Sequence, residues 1–299
     1  MADVLVADEL AESGEVSLGP EFVRSGWNAV DFDLATDAGV VTDATGRVVG
    51  YVQAAHEEPG VVESWGVVHP EHRGRGIGSS LIDWVAERAA SMLAQHPSGR
   101  FRHAINAGDQ DAAGILDARG MRPVRHFWHM QIDLDDPDET GPAPDDIEID
   151  GVEPPDDLVA VHAVLDRAFA EDWGYHPEPF ERWAAEHARD PNYDPSLWLL
   201  AKDDGVPVGT LTAVPGMDRG WVGEVGVLPS HRGRGIAAAL LRRSIDAFAH
   251  RGYRRVLLNV DTENPTGATA LYQRAGMRVV KRWDLWERSL AEEPPSDVV

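Results

Sequence analysis

The 299-residue chain contains no cysteine. Disulfides, thiolate metal sites and a cysteine nucleophile are therefore excluded. Lysine is nearly absent too: Lys202 and Lys281 are the only two, and every other residue in the basic count is arginine. Those 27 basic residues face 51 Asp+Glu, a formal net charge of −24. Such a balance repels nucleic acid, whose binding rests on neutralising phosphates, so no nucleic-acid partner is expected. No apolar run reaches the ~18 residues of a membrane span, so no membrane partner is expected either. Met1-Ala2-Asp3 lacks the basic segment that opens a secretory signal. A cytoplasmic location is the expectation.

What is present is a repeat. His72-Arg73-Gly74-Arg75-Gly76-Ile77 recurs as His231-Arg232-Gly233-Arg234-Gly235-Ile236, 159 residues later. An identical hexamer of this composition marks two copies of one unit. Each copy follows an apolar run, Trp65-Gly66-Val67-Val68 or Glu224-Val225-Gly226-Val227, and each precedes apolar residues at helical spacing, Leu81/Ile82/Val85 or Leu240/Leu241/Ile245. A strand, a glycine-rich turn and a helix start thus meet at one point. Unpaired N–H groups and the helix dipole make such a point a phosphate site.

The glycine spacing separates the phosphate loops. Gly74-x-Gly76-x-Gly78 is not the dinucleotide pattern, and no Lys-Ser/Thr pair follows, so it is not a P-loop. Arg73-x-x-Gly76-x-Gly78, repeated as Arg232-x-x-Gly235-x-Ala237, resembles the pyrophosphate loop of the GNAT superfamily of acyl-CoA N-acyltransferases. The resemblance implies acetyl-CoA as co-substrate. It implies one ligand-binding set of Val225, Gly226, Val227, Arg232, Gly233, Arg234, Gly235, Ile236, Ala237, Ala238 and Asn264. The other set is Gly66, Val67, Val68, Arg73, Gly74, Arg75, Gly76, Ile77, Gly78 and Ser79.

Periodicity in the second copy reads as β-α-α-β-β-β-α-β-α-β, an order that resembles the GNAT fold throughout. The first copy follows the same order but begins at Met1-Ala2-Asp3-Val4-Leu5, which reads as the tail of the first helix. The first strand and most of that helix are expected to be missing. The resemblance implies an α/β (α+β) fold class: two tandem GNAT domains, each a mixed, mostly antiparallel central sheet flanked by helices, the first lacking its first strand. The expected division is residues 1–134, an acidic proline-containing linker at 135–146, and residues 147–299.

Acyl transfer from a thioester to an amine needs a base for the ammonium proton, donors for the carbonyl oxygen, and an acid for a thiolate of pKa near ~8.5. The second copy offers Glu224 as base, the amides around Val227 as donors, and Tyr272 at the position of the tyrosine acid in many GNAT enzymes. Asn264 resembles the Asn that contacts the pantetheine arm there. In the first copy, Trp65, Leu116 and Gly108 stand opposite Glu224, Tyr272 and Asn264. Neither Trp65 nor Leu116 exchanges a proton, although Glu63 and His69 lie nearby as substitutes. The first copy is expected to bind a CoA-type ligand without turning it over.

Other features are weaker. His69-x-x-His72 and His126-x-x-His129 lack a carboxylate at ligand spacing, so no metal is expected. The segment Glu171-Asp172-Trp173-Gly174-Tyr175-His176 lies where GNAT enzymes place the acceptor and suits a cationic amine. The expected function is N-acetylation of a primary amine, on a small molecule, by direct attack in the second copy. A non-enzymatic acyl-CoA sensor and a protein N-acetyltransferase are the alternatives. The oligomeric state stays open; a tandem repeat can replace a dimer, which makes a monomer reasonable.

Overall fold

A computed structural model describes residues 1–14, 16, 20–29, 31–134, 144, 146–216 and 218–290. Most of the expected linker, residues 135–143 and 145, lies outside the described residues. The chain forms two compact units: residues 1–127 with 282–299, and residues 128–281.

The first unit begins with α1 (Ala2–Ser13) and α2 (Pro20–Trp27), followed by β1 (Ala38–Thr42), β2 (Val48–Glu58) and β3 (Val61–Val68). Then come α3 (Ile77–Met92), β4 (Arg100–Asn106), α4 (Gln110–Asp117) and β5 (Arg122–Asp133), of which residues 122–127 belong here. The expectation that most of the first helix is missing is corrected: α1 has 12 residues, as many as its counterpart in the second unit. No strand precedes it among the described residues.

The second unit continues with β6 (Ile147–Gly151), α5 (Leu158–Phe169) and α6 (Phe180–Arg189). After these run β7 (Leu199–Asp203), β8 (Val206–Pro215), β9 (Gly220–Val227) and α7 (Ile236–His250). It ends with β10 (Arg255–Asp261), α8 (Ala268–Arg274) and β11 (Arg278–Ser289), of which residues 278–281 belong here. α7 is the crossover that lets β9 and β10 run parallel. It buries Ile236, Ala239, Leu240, Leu241, Ile245 and Phe248 at three- and four-residue spacing, one continuous stripe. Each large apolar side chain so buried contributes roughly 1.5–3 kcal/mol. α3 does the same in the first unit with Leu81, Ile82, Val85, Ala86 and Ala89.

The packing boundary differs from the repeat boundary. Strand order in the first unit is β1-β2-β3-β4-β11-β5, and in the second β6-β7-β8-β9-β10-β5-β11. Trp283 to Ser289 of β11 pair antiparallel with Asn106 to Arg100 of β4. The compact units are therefore divided after Phe127 and again after Lys281, whereas the expected division places residues 147–299 together. β11 reads as the closing strand of the second copy, yet seven of its residues are laddered to the first unit. It runs through as one strand of 12 residues.

Candidate active site

In the second unit the glycine-rich turn leads directly into α7. Gly235 is the N-cap, with φ 82° and ψ 3°, a left-handed conformation that costs a side-chain-bearing residue roughly 1–2 kcal/mol. The first intrahelical bond is donated by Ala239 N–H to Gly235 O, so the N–H groups of Ile236, Ala237 and Ala238 precede the ladder and are available to an anion. A Cβ on Gly233 would meet nothing within 4 Å, so the loop backbone is open on that side. These features fit a pyrophosphate. Arg232 donates to the carbonyl of Ala168 at 2.8 Å, and Arg234 turns to Asp203 at 2.7 Å and to Asp146.

Behind the loop, β9 changes register. Leu211 pairs with Val225 and Ala213 with Val222, so Thr212 of β8 faces two residues, Gly223 and Glu224. This is a β-bulge, which bends a strand and re-aims its side chains. Thr212 and Glu224 are tied by two hydrogen bonds. Glu224 N–H donates to Thr212 Oγ1 at 3.0 Å, and the Thr212 hydroxyl donates to Glu224 Oε2 at 3.1 Å. A side chain on Gly223 would come within 2.9 Å of that hydroxyl. On its other edge β9 pairs with β10 only through Gly220–Val222 against Val256–Leu258. Beyond Val222 the two parallel strands are unladdered, and Glu224, Val225 and Val227 lie along the freed stretch.

Burial pushes the Glu224 carboxyl above the ordinary carboxylate range. The charges of His187 and His162 and the Thr212 bond oppose that rise. The histidines come from α6 and α5. Each is turned by a backbone carbonyl, His187 Nδ1 at 2.9 Å from Trp183 O and His162 Nε2 at 2.9 Å from Glu178 O. Trp183 packs between them, its ring 5.3 Å from His162 and 4.4 Å from His187. Tyr175, whose hydroxyl donates to Asp166, also feels the Glu224 charge.

Tyr272 lies on α8 and is buried, which raises its hydroxyl to about 12. It stays protonated at neutral pH. Asn264 stands in the turn ahead of α8. Its oxygen accepts from Thr266 N–H at 2.8 Å, and its amide donates to Asp172 at 3.1 Å. Burial raises the Asp172 carboxyl; Arg232 and Asn264 oppose the rise. The expected acceptor segment is thereby anchored at both ends, by Asp172 to Asn264 and by Tyr175 to Asp166.

The first unit repeats the loop but not the bulge. Gly76 has φ 82° and ψ −1°, and Ser80 N–H makes the first helical bond of α3, leaving the amides of Ile77, Gly78 and Ser79 ahead of it. Arg73 pairs with Asp8 of α1, and Arg75 donates to the carbonyl of Glu71 at 2.9 Å. Gln53 faces Trp65 in unbroken register, with Val52 against Gly66 and Ala54 against Ser64 on either side. The irregularity falls instead between His56 and Glu58. The parallel ladder to β4 covers five pairs and includes Trp65 against Ala104.

Aromatic side chains occupy the ground beside Trp65. Its ring packs 5.4 Å from Tyr51, whose hydroxyl donates to Gln53 at 2.6 Å and accepts from Trp27 Nε1 at 2.7 Å. Leu116 is buried in α4. His69 is turned to Arg47, 3.0 Å from Nη2. Glu63 sits two residues before Trp65, and burial lifts its carboxyl to about 8.

Three residues around Glu224 escaped the sequence reading: Thr212, His162 and His187. Their only signal was a threonine, Thr212, where the first copy has Gln53. Among the described residues, no three His, Asp or Glu side chains gather as a metal site. His129, in the second unit, packs edge-on against Trp221 at 5.4 Å. His126, in the first, lies 2.7 Å from Asp284. No helix among the described residues is long and apolar enough to cross a membrane.

Residues 158–277 match the Acetyltransferase (GNAT) family, and residues 36–112 match an Acetyltransferase (GNAT) domain. The chain is 33% identical over 252 residues to the mycothiol acetyltransferase of Cellulomonas flavigena, covering 79% of this chain and 70% of that protein. It is 34% identical over 262 residues to the mycothiol acetyltransferase of Beutenbergia cavernae, covering 81% and 80%. A GCN5-related N-acetyltransferase from Sphaerobacter thermophilus superposes with a TM-score of 0.83 at 33% identity, covering 96% and 91%. A tandem GNAT protein from the clavulanic acid biosynthesis pathway shares the fold, with a TM-score of 0.71 at 21% identity over 97% and 94%.

Proposed function

Since the chain belongs to the GNAT acetyltransferase family, we propose that its second unit moves an acetyl group from acetyl-CoA to the primary amine of a small molecule. Bound acetyl-CoA supplies the acetyl group already activated as a thioester. The amides of Ile236, Ala237 and Ala238 hold the pyrophosphate at the start of α7, beside Gly233 and Gly235. The stretch of β9 from Val225 to Val227, unladdered toward β10, offers backbone donors to the acyl carbonyl.

Glu224 takes the proton from the acceptor ammonium, directly or through one water. Its raised carboxyl is a stronger base than an exposed glutamate. Tyr272 donates to the departing sulfur and remains a proton source because burial keeps it protonated. Asp172, Tyr175 and Glu224 give the acceptor side an acidic, aromatic lining suited to a cation. A small molecule is favoured because the relatives at 33–34% identity are mycothiol acetyltransferases.

The observation that carries this reading is the bulge at Gly223 and Glu224, set in the stretch of β9 that is unladdered toward β10, present in the second unit and replaced by regular pairing in the first. We accordingly read the first unit as a CoA-type binding module without turnover. The test is release of CoA thiol with a panel of primary amines that includes the acceptor of the mycothiol acetyltransferases. Transfer should be lost in Glu224→Gln combined with Tyr272→Phe. Persistent turnover in that double variant would move the chemistry to the first unit.

A further inference from the structure

The bulge presents Glu224 through a single neighbouring side chain. Thr212 is 4% exposed, and its hydroxyl makes two hydrogen bonds to one residue, accepting from the Glu224 N–H and donating to the Glu224 carboxylate. One bond fixes the backbone of the bulge and the other fixes the carboxylate above it. Gly223 leaves room for this arrangement, because a Cβ there would sit 2.9 Å from the same oxygen. The first unit has Gln53 at this position. There the glutamine accepts from Tyr51, the strand stays regular, and Trp65 takes the place of the carboxylate.

We propose that Thr212 is the positioning residue of the acetyl-transfer site, aiming one carboxylate oxygen of Glu224 at the acceptor amine and holding the other. The inference rests on Glu224 serving as the base. A hydroxyl that donates to the ionised carboxylate favours that form, so Thr212 also sets the pH at which the base becomes available. The other titratable groups that face Glu224 are His162 from α5, His187 from α6 and Tyr175 from the segment between those helices. None of them bonds to its backbone, so none can duplicate the reciprocal tie.

The test uses the full chain with Thr212→Val, which keeps the branched shape and removes the hydroxyl, and Thr212→Ser, which restores it. Thr212→Ala serves if the valine disturbs the strand. In protein labelled with 13C at the glutamate carboxyls, the Glu224 resonance is identified by its loss in Glu224→Gln. Its titration midpoint should rise in Thr212→Val and return in Thr212→Ser. Turnover should fall about 10- to 100-fold in Thr212→Val, with acetyl-CoA affinity unchanged and the acid limb of the pH profile displaced upward. The serine variant should recover most of the rate. An unmoved midpoint with near-normal turnover in Thr212→Val and Thr212→Ala overturns the proposal. If Glu224→Gln itself turns over normally, the base assignment fails; the midpoint then decides by itself whether Thr212 positions the carboxylate.

Discussion

Trp65 packs against Tyr51 with ring centroids 5.4 Å apart, and the pair fills the part of the first unit that corresponds to Glu224 and Thr210 in the second. Two aromatic rings stand where the second unit keeps a carboxylate and a small hydroxyl. Apolar packing of this kind stabilises the first unit, and neither ring is a base at neutral pH.

Glu224→Gln should lower turnover by about 10²–10⁴-fold while leaving acetyl-CoA affinity nearly unchanged. The loss should shrink as pH rises, because more acceptor amine is then neutral without help. In the wild type, activity should fall on acidification as Glu224 gains its proton, above the pH expected of an exposed glutamate. Rate profiles of the two proteins from acid to alkaline pH check both statements. Near-normal rates for the glutamine variant at neutral pH would place the base elsewhere.

Tyr272→Phe keeps the buried ring, so folding should survive. Removing the donor should cost roughly 10²-fold or more in turnover. Leu116→Tyr should not awaken the first unit, since Trp65 remains in regular pairing with Gln53 and no bulge presents a base. Turnover measured with Tyr272→Phe as background tests this, and a gain on adding Leu116→Tyr would contradict it.

Calorimetry with acetyl-CoA should find two sites per chain. Gly235→Glu should remove one and abolish turnover, because a carboxylate then faces the pyrophosphate and φ 82° strains the new residue. Gly76→Glu should remove the other and leave much of the activity. The first-unit site should be the weaker, since Asp8 competes for Arg73. One site in the wild-type protein would end the duplicated-binding reading.

Glu63 gives a prediction about stability. Burial first, then the charge of Glu57, lift its carboxyl to about 8 against the pull of Arg102. Between the unfolded value of ~4.3 and about 8, the folded state holds a proton that the unfolded state has released. Stability contributed by this group therefore falls as pH rises through that window. Glu63→Gln should melt close to wild type at the acid end and higher than wild type near pH 8. Calorimetric melting across the window checks the sign, and a pH-independent difference would refute it.

Much of the local structure around the candidate site could be read from the chain. The hexamer alone located both turns and both helix starts, because a glycine at φ near 82° ahead of an amphipathic run is a local requirement written in local residues. Hydrophobic periodicity placed the helices and strands for the same reason. Aligning the copies singled out Glu224 and Tyr272 against Trp65 and Leu116. α1 is longer than expected: it runs from Ala2 to Ser13, ends at the left-handed Gly14 and packs on β2 and β3.

Other features needed the tertiary structure. A bulge is a mismatch of hydrogen-bond register between β8 and β9, and neither strand's own pattern of side chains records how the other is counted. Thr212, His162 and His187 surround Glu224 from three elements separated in sequence, so no spacing could announce them. The ladder of β11 to β4 was hidden as well: an alternating strand shows which faces it buries, not which edge it joins. Sequence determined that each copy carries a glycine-rich turn leading into a helix. Strand register decided which copy carries a bulge beside a carboxylate.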